Sequence, residues 1–183
     1  FIFAGLTRPV SESEAPMLLT PEIIFRRVED ITPAYLQSQG ITALVLDVDN
    51  TLTGHDSQQL PPAIRDWLDR MRAAGIQLAI ASNNNEERVR PFAQAIGLDY
   101  VAMSCKPLTF GLARARKKFG VPKGQMAIVG DQLLTDRLAG ALYGIPALVV
   151  QPMYEDFKKG IRFKRRLEKP FLARYFKKGG KLL

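Results

Sequence analysis

Among 183 residues there is one cysteine, one histidine and one tryptophan. With Cys105 alone, no disulfide can form within the chain, which agrees with a reducing compartment. Long apolar runs are also missing. The longest candidates, residues 41–46 and 145–150, fall far short of the ~18–20 residues that span a bilayer. The first six residues carry no basic leader and no long apolar centre, so a signal peptide is not expected, and Met17 offers a second start. No internal repeat is visible. A chain of this length, 46% apolar, suits one domain with one core and leaves no room for a second of comparable size.

Positive charge is plentiful but unevenly placed. Of 26 basic and 18 acidic residues, eleven and one fall within residues 158–183, leaving fifteen against seventeen in the rest. The body is nearly neutral and the tail holds the excess, which points to an anionic partner for the tail: a membrane surface, a nucleic acid or an acidic protein. Phe157, Ile161, Leu167, Phe171, Leu172, Tyr175 and Phe176 recur among these cations at roughly helical spacing, with Pro170 expected to split the segment in two. The alternative is a helix face that is merely solvated.

The chain divides into a polar lead over residues 1–18, a main domain over 19–156 and the basic amphipathic segment 157–183. Thr20-Pro21 and Thr32-Pro33 each read as a helix start, with threonine as cap and proline in the first turn. From residue 41 strands and helices alternate. Strands are expected at 41–47, 77–82, 100–102, 125–129 and 146–150, and helices at 62–74, 86–96, 108–119 and 133–143, each helix stopped by a glycine. That alternation predicts an α/β fold, a three-layer, doubly wound, mostly parallel sheet.

In such sheets ligands bind beyond the carboxyl ends of the strands. Four polar groups follow the strands: Asp47-Val48-Asp49-Asn50-Thr51, Ser82-Asn83-Asn84, Ser104-Cys105-Lys106-Pro107 and Gly130-Asp131-Gln132. All fall on one edge of the sheet, and the constellation is far more specific than any of its parts. Asp47 and Asp49, two apart at a turning strand end, can face one cavity. One carboxylate can attack phosphorus and the other can protonate the leaving oxygen, then activate water. Thr51 and Ser82 offer hydroxyls to a phosphate, Asn83 adds an amide, and Lys106 supplies a cation where negative charge would accumulate. Asp131 and Asp47 can hold Mg²⁺, with Asp136 in support directly or through water.

These residues, in this order, resemble the haloacid dehalogenase superfamily. The matching segments are Asp47-Val48-Asp49-Asn50-Thr51-Leu52, Ser82, Lys106 and Gly130-Asp131-Gln132-Leu133-Leu134-Thr135-Asp136. The resemblance implies Asp47 as nucleophile, Asp49 as general acid/base and a metal ligand through its backbone carbonyl, Ser82 and Lys106 on phosphate, and Asp131 on Mg²⁺. The superfamily's ion-transporting ATPases carry threonine at the second carboxylate; aspartate at Asp49 implies rapid hydrolysis of the intermediate, hence a phosphatase. Asp-x-Asp-Asn-Thr-Leu, Ser82-Asn83-Asn84, Lys106-Pro107, Gly-Asp-Gln-x-x-Thr-Asp and the tail element Arg165-Arg166-Leu167-Glu168 are also similar to the YqeG subfamily of class IIIA, over roughly residues 19–168. That likeness implies dephosphorylation of phosphatidylglycerophosphate to phosphatidylglycerol.

The spacing adds an expectation of its own. Between Thr51 and Ser82 only a loop and one helix fit, and between Ser82 and Lys106 one helix and a short strand, so the site is expected to be uncapped. An open site suits a phosphate protruding from something large. The expected partners are a phospholipid phosphate and an anionic membrane surface met by the tail, with nucleic acid disfavoured and the location cytoplasmic, peripheral on the inner membrane face or an organelle equivalent. The rivals are a soluble-metabolite or phosphoprotein phosphatase, and a non-catalytic nucleic-acid- or ribosome-binding module on the same fold. Other residues receive blander readings. His55 is expected to be a solvated loop residue, Cys105 a small filler, and Arg88 and Arg90 exposed on a helix. Asn83 and Asn84 either cap the following helix or shape the pocket.

Overall fold

The computed structural model describes residues 18–183. All but the last residue of the expected lead therefore lies outside the described residues. The elements run β1 (Ile23–Phe25), α1 (Pro33–Ser38), β2 (Ala43–Leu46), α2 (Pro62–Ala73), β3 (Gln77–Ala81), α3 (Glu86–Ala95), β4 (Asp99–Val101), α4 (Phe110–Phe119), β5 (Met126–Gly130), α5 (Leu138–Tyr143), β6 (Ala147–Val150) and α6 (Lys159–Lys177). The strands form one sheet in the order β1-β6-β5-β2-β3-β4, and every pairing is parallel.

Parallel strands joined by helical crossovers are buried on both faces, which is why β2 and β6 read Ala-Leu-Val-Leu and Ala-Leu-Val-Val without alternation. Leu44, Leu46, Leu78 and Ile80 point to one face, where α2 and α3 cover them with Ile64, Trp67, Leu68, Met71, Val89 and Phe92. Trp67 is fully enclosed, and its indole N–H donates to the Ile31 carbonyl at 2.8 Å, so the polar end of a large core side chain is satisfied. Ala43, Val45 and Ile128 point the other way, against Leu112 and Ala115 of α4 and Ala139 of α5. These are the two helical layers expected from the alternation. No separate cap covers the carboxyl edge among the described residues.

Three expectations change. The segment after Thr20-Pro21 is a strand, not a helix: Ile23, Ile24 and Phe25 pair with Leu148, Val149 and Val150. The cap signature was present, but β-branched side chains gain more on a sheet edge with apolar partners. The helix over 133–143 begins as a wide π-helical turn, Leu133–Arg137, before α5 proper. The tail is not split at Pro170, because α6 is one helix through it. A mid-helix proline loses a backbone hydrogen bond and costs ~3 kcal/mol. Packing offsets that cost: Tyr175 is buried with Ile24, Leu133 and Val149, and Phe171 and Leu172 pack against them. Beyond the helix the chain returns to the sheet, where Leu183 N–H donates to the Ile24 carbonyl at 2.9 Å and Arg26 N–H to the Leu183 carbonyl at 2.7 Å. The basic segment is thus stitched onto the domain over its length. No described helix is long and apolar enough to cross a membrane.

Candidate active site

Strand order reverses between β2 and β5: β3 and β4 lie beyond one, β6 and β1 beyond the other. Ligands of such sheets bind at this switch point, where adjacent crossovers leave on opposite faces. Asp47 follows β2 and Asp131 follows β5, so the two carboxylates that the sequence singles out flank it. A cavity of about 220 Å³ opens there, lined by Asp47, Asp49, Ser82, Asn83 and Lys106 among others.

Asp47, Asp131 and Asp136 each bring a carboxylate oxygen within 4.8 Å of the others, all three being buried. Gly130 makes this approach feasible: a Cβ there would collide with the Asp136 carboxyl. Lys106, 5% exposed, bridges Asp47 at 2.6 Å and Asp136 at 2.7 Å. Burial alone would lower the Lys106 pKa, but Asp136 and Asp47 outweigh it and hold the ammonium above the ordinary lysine range. The ammonium reaches two of the three carboxylates, and Asp131 is left to Arg165. Burial pushes Asp47 up to about 6 despite Lys106, with Asp136 and Asp49 adding to the rise. Burial also carries Asp131 well above the usual carboxylate range, against the pull of Arg165. Oδ1 of Asp131 is buried with no protein partner. A hard divalent cation with oxygen ligands fits this donor set.

Asp49 also lines the cavity and is held by three donors. Its Oδ1 accepts from Arg88 and from the Asp56 N–H, both at 3.0 Å, and its Oδ2 accepts from the Asn84 amide. Arg88 therefore does not sit on the outer surface of α3, as expected from sequence, but turns inward with its side chain 11% exposed. Arg90 is exposed, as expected.

Ser82 is buried at the end of β3, where its Oγ accepts from the Asn84 N–H at 3.2 Å. Asn83 acts as a clamp on the next loop: its Oδ1 accepts from the Lys106 N–H at 2.7 Å and the Ser104 hydroxyl at 2.9 Å, and its amide donates to the Lys106 carbonyl at 2.9 Å. Neither Asn83 nor Asn84 caps α3; Asn85 does, accepting from the Arg88 N–H at 3.0 Å. Thr51 is not brought to this cavity. Its buried hydroxyl has no partner, and the residue lines a separate hollow with Arg26, Arg27 and Tyr154. Cys105 is exposed rather than a core filler.

The C-terminal third contributes residues that the sequence alone did not assign to the site. Arg165 of α6 donates to both the carbonyl and the carboxylate of Asp131, to Asp156 at 2.8 Å and to Glu168 at 3.2 Å. Glu168, 1% exposed, in turn accepts from the Leu134 N–H at 3.0 Å. Asn50 adopts a left-handed conformation, φ 62°, and binds both polar groups of the Tyr154 backbone, at 2.9 and 3.0 Å, and Asp156 at 3.0 Å. His55 is not solvated: its ring is 4% exposed and lies 2.7 Å from Asp156. Burial tends to raise Asp156, but Arg165 and His55 together hold it below the usual carboxylate range. The only signals for these partners were the Asn50 position within the first motif and the Arg165–Glu168 element.

Comparison with known proteins agrees with this chemistry. Residues 4–144 match the family model described as a haloacid dehalogenase-like hydrolase. The chain is 31% identical over 159 residues to a Bacillus subtilis protein described as "Probable phosphatase YqeG", covering 87% of this chain and 92% of that one. It is 26% identical to the chloroplastic/mitochondrial phosphatidylglycerophosphate phosphatase 1 of Arabidopsis thaliana, over 87% of this chain but only 49% of the plant protein, so it spans about half of that relative. The fold resembles that of a 4-nitrophenylphosphatase from Thermotoga maritima, with a TM-score of 0.50, 16% identity and coverage of 68% of this chain and 91% of the other. With its parallel sheet, its paired aspartates at the switch point and the family match over most of its length, the chain belongs to the haloacid dehalogenase-like hydrolases, as a phosphatase of that family.

Proposed function

We propose that the protein is a Mg²⁺-dependent phosphomonoesterase that works through an aspartyl-phosphate on Asp47 and acts on a phospholipid phosphate, phosphatidylglycerophosphate, at an anionic membrane surface. The observation that carries the chemistry is the buried trio of Asp47, Asp131 and Asp136, in which Lys106 bridges Asp47 and Asp136 and Arg165 holds Asp131, beside Asp49 with donors of its own. The trio would hold Mg²⁺, whose charge would draw the substrate phosphate toward Asp47 and offset the charge that builds on its oxygens.

The residues divide the work. An Asp47 carboxylate oxygen attacks phosphorus, and the bond from phosphorus to the alcohol oxygen breaks. Asp49 gives its proton to that oxygen, so the alcohol leaves neutral. Asp49 then takes a proton from water, the water oxygen attacks phosphorus, and the bond to Asp47 breaks to release inorganic phosphate. Ser82 and Lys106 hold phosphoryl oxygens, while Asn83 fixes the Lys106 loop. Asn84 and Arg88 set the position of Asp49.

The lipid reading is supported by the name of the plant relative and by the uncapped carboxyl edge. Exposed Phe157, Phe163, Leu167 and Phe176 stand among the cations of the C-terminal segment, a combination that suits partition onto an anionic bilayer. The enzyme would then work as a peripheral protein on the cytoplasmic side of a membrane, or on its organellar equivalent. The test is phosphate release from phosphatidylglycerophosphate in mixed micelles with Mg²⁺, wild type beside Asp47→Asn. Release that vanishes in the variant and with chelator is expected. Release from a soluble aryl phosphate but never from the lipid would overturn the substrate.

A further inference from the structure

The cavity has two unlike walls. Asp47, Ser82, Asn83 and Lys106 make the wall where phosphoryl chemistry takes place. Another part of the lining comes from the start of α6, with Lys158, Ile161 and Lys164 three residues apart and hence on one side of the helix. The ammonium of Lys158 is 2.6 Å from the exposed carboxylate of Asp56. Lys164 is half-buried and lines the cavity, yet among the described residues its ammonium has no hydrogen bond or ion pair.

Phosphoryl transfer places the attacking and leaving oxygens roughly in line. With Asp47 as nucleophile, the leaving alcohol must extend away from Asp47, past Asp49 and toward the mouth. The phosphoryl charge itself would be met by Lys106, Ser82 and a cation held by the acidic trio. These groups meet the transferred charge and leave the unpaired Lys164 ammonium for the remainder of the substrate. Ile161, lying between the two lysines, offers an apolar surface to the carbons that join the two ends.

We propose that Lys164, assisted by Lys158, forms a second anion subsite, so that the preferred substrate is a phosphomonoester whose alcohol carries a further negative group such as a phosphodiester. The proposal rests on the reading above, which already names such a substrate, and assigns the residues that would select it. A soluble metabolite and a lipid headgroup can both present this chemistry, so the test separates them.

The full chain with Mg²⁺ is assayed on three compounds that share one phosphorylated glycerol end: glycerol phosphate, the water-soluble glycerophosphoglycerol phosphate, and its diacyl lipid in uncharged detergent micelles. The wild type is compared with Lys164→Ala and Lys164→Glu, and all three proteins are checked for equal melting temperature. The wild-type kcat/KM is expected to favour the soluble diester-bearing compound over glycerol phosphate by roughly tenfold or more, the scale of one charge-assisted hydrogen bond. That ratio falls toward one in Lys164→Ala and lower still in Lys164→Glu, and the lipid follows the soluble diester. A wild-type ratio near one, or a ratio that neither variant alters, would overturn the subsite. A loss confined to micelles would overturn it too, because Lys164 would then be contacting the lipid surface. Turnover of none of the three would overturn the phosphatase reading itself, a failure distinct from an unaltered ratio.

Discussion

Replacing Arg165 by methionine removes one charge and takes a shared partner from three carboxylates. The guanidinium is 19% exposed, and its partners Asp131, Asp156 and Glu168 have side chains 0%, 7% and 1% exposed. Methionine keeps most of the stem's packing, so the loss is chiefly electrostatic. Removing one partner of a buried pair costs ~3–5 kcal/mol. The lower end applies here, since Arg165 keeps some solvent and Asp131, already raised by burial against the pull of Arg165, can take up a proton. About 3 kcal/mol is expected at pH 8 in metal-free protein. A carboxyl raised in the folded state contributes stability that is full below its unfolded pKa and lost as pH rises through its folded one. Without Arg165 that rise is larger, so the penalty is smaller at pH 5 than at pH 8. The assay is guanidinium unfolding, with chelator, of wild type, Arg165→Met, Asp131→Asn and the double variant at both pH values. The double variant is expected to recover ~1–3 kcal/mol relative to the sum of the single ones at pH 8. Additivity within ~0.5 kcal/mol, or a penalty that does not depend on pH, would refute the reasoning.

The same logic applies to Asp47, raised by burial to about 6: its neutral form stabilises the metal-free fold below about pH 4, and this is lost as pH rises through 6. The chelated wild type should therefore lose up to about 3 kcal/mol relative to Asp47→Asn between pH 4 and 7, with Mg²⁺ reducing the loss; a flat difference in unfolding free energy would count against it. Gly130→Ala drives a methyl into the Asp136 carboxyl and should weaken Mg²⁺ binding at least tenfold by calorimetry, whereas unaltered affinity would remove Asp136 from the metal set. Asn50→Gly keeps the left-handed backbone but loses the bonds to Tyr154 and Asp156, at ~1–3 kcal/mol in thermal unfolding, and Asn50→Ala should cost ~1 kcal/mol more; equal costs would show that the backbone conformation there is unstrained.

The central strands were legible because a parallel strand buried on both faces leaves an unbroken apolar run followed by polar residues, as in Ala43–Leu46 before Asp47. The four motif groups were legible for the same reason, since each follows a strand on the same edge. β1 was missed because Thr20-Pro21 imitates a helix start and the strand that claims Ile24 comes 125 positions later, at Val149. Arg88 looked like a surface residue because its spacing on α3 says nothing about a carboxylate 39 residues earlier. Arg165 looked like one of eleven tail cations, and only the turn after β5 reveals what it holds. Thr51 belonged to the first motif but turns away from the cavity, since the left-handed step at Asn50 redirects the chain.

The order of the sheet also sets an order of events during synthesis. β1 comes first in sequence, yet its strand partner β6 is the last strand made. A nascent chain must leave Ile24 and Phe25 without that partner until residues 147–150 have cleared the ribosome, and the Asp131 turn lacks its guanidinium until α6 follows. The early strand is short, with an exposed Glu22 before it and two exposed arginines, Arg26 and Arg27, after it, a charged border of the kind that keeps an unpaired edge from seeking the wrong neighbour. Closure of the sheet's outer edge and completion of the reaction centre are therefore late steps that arrive close together, so the growing polypeptide has no finished catalyst to offer before its final third is folded.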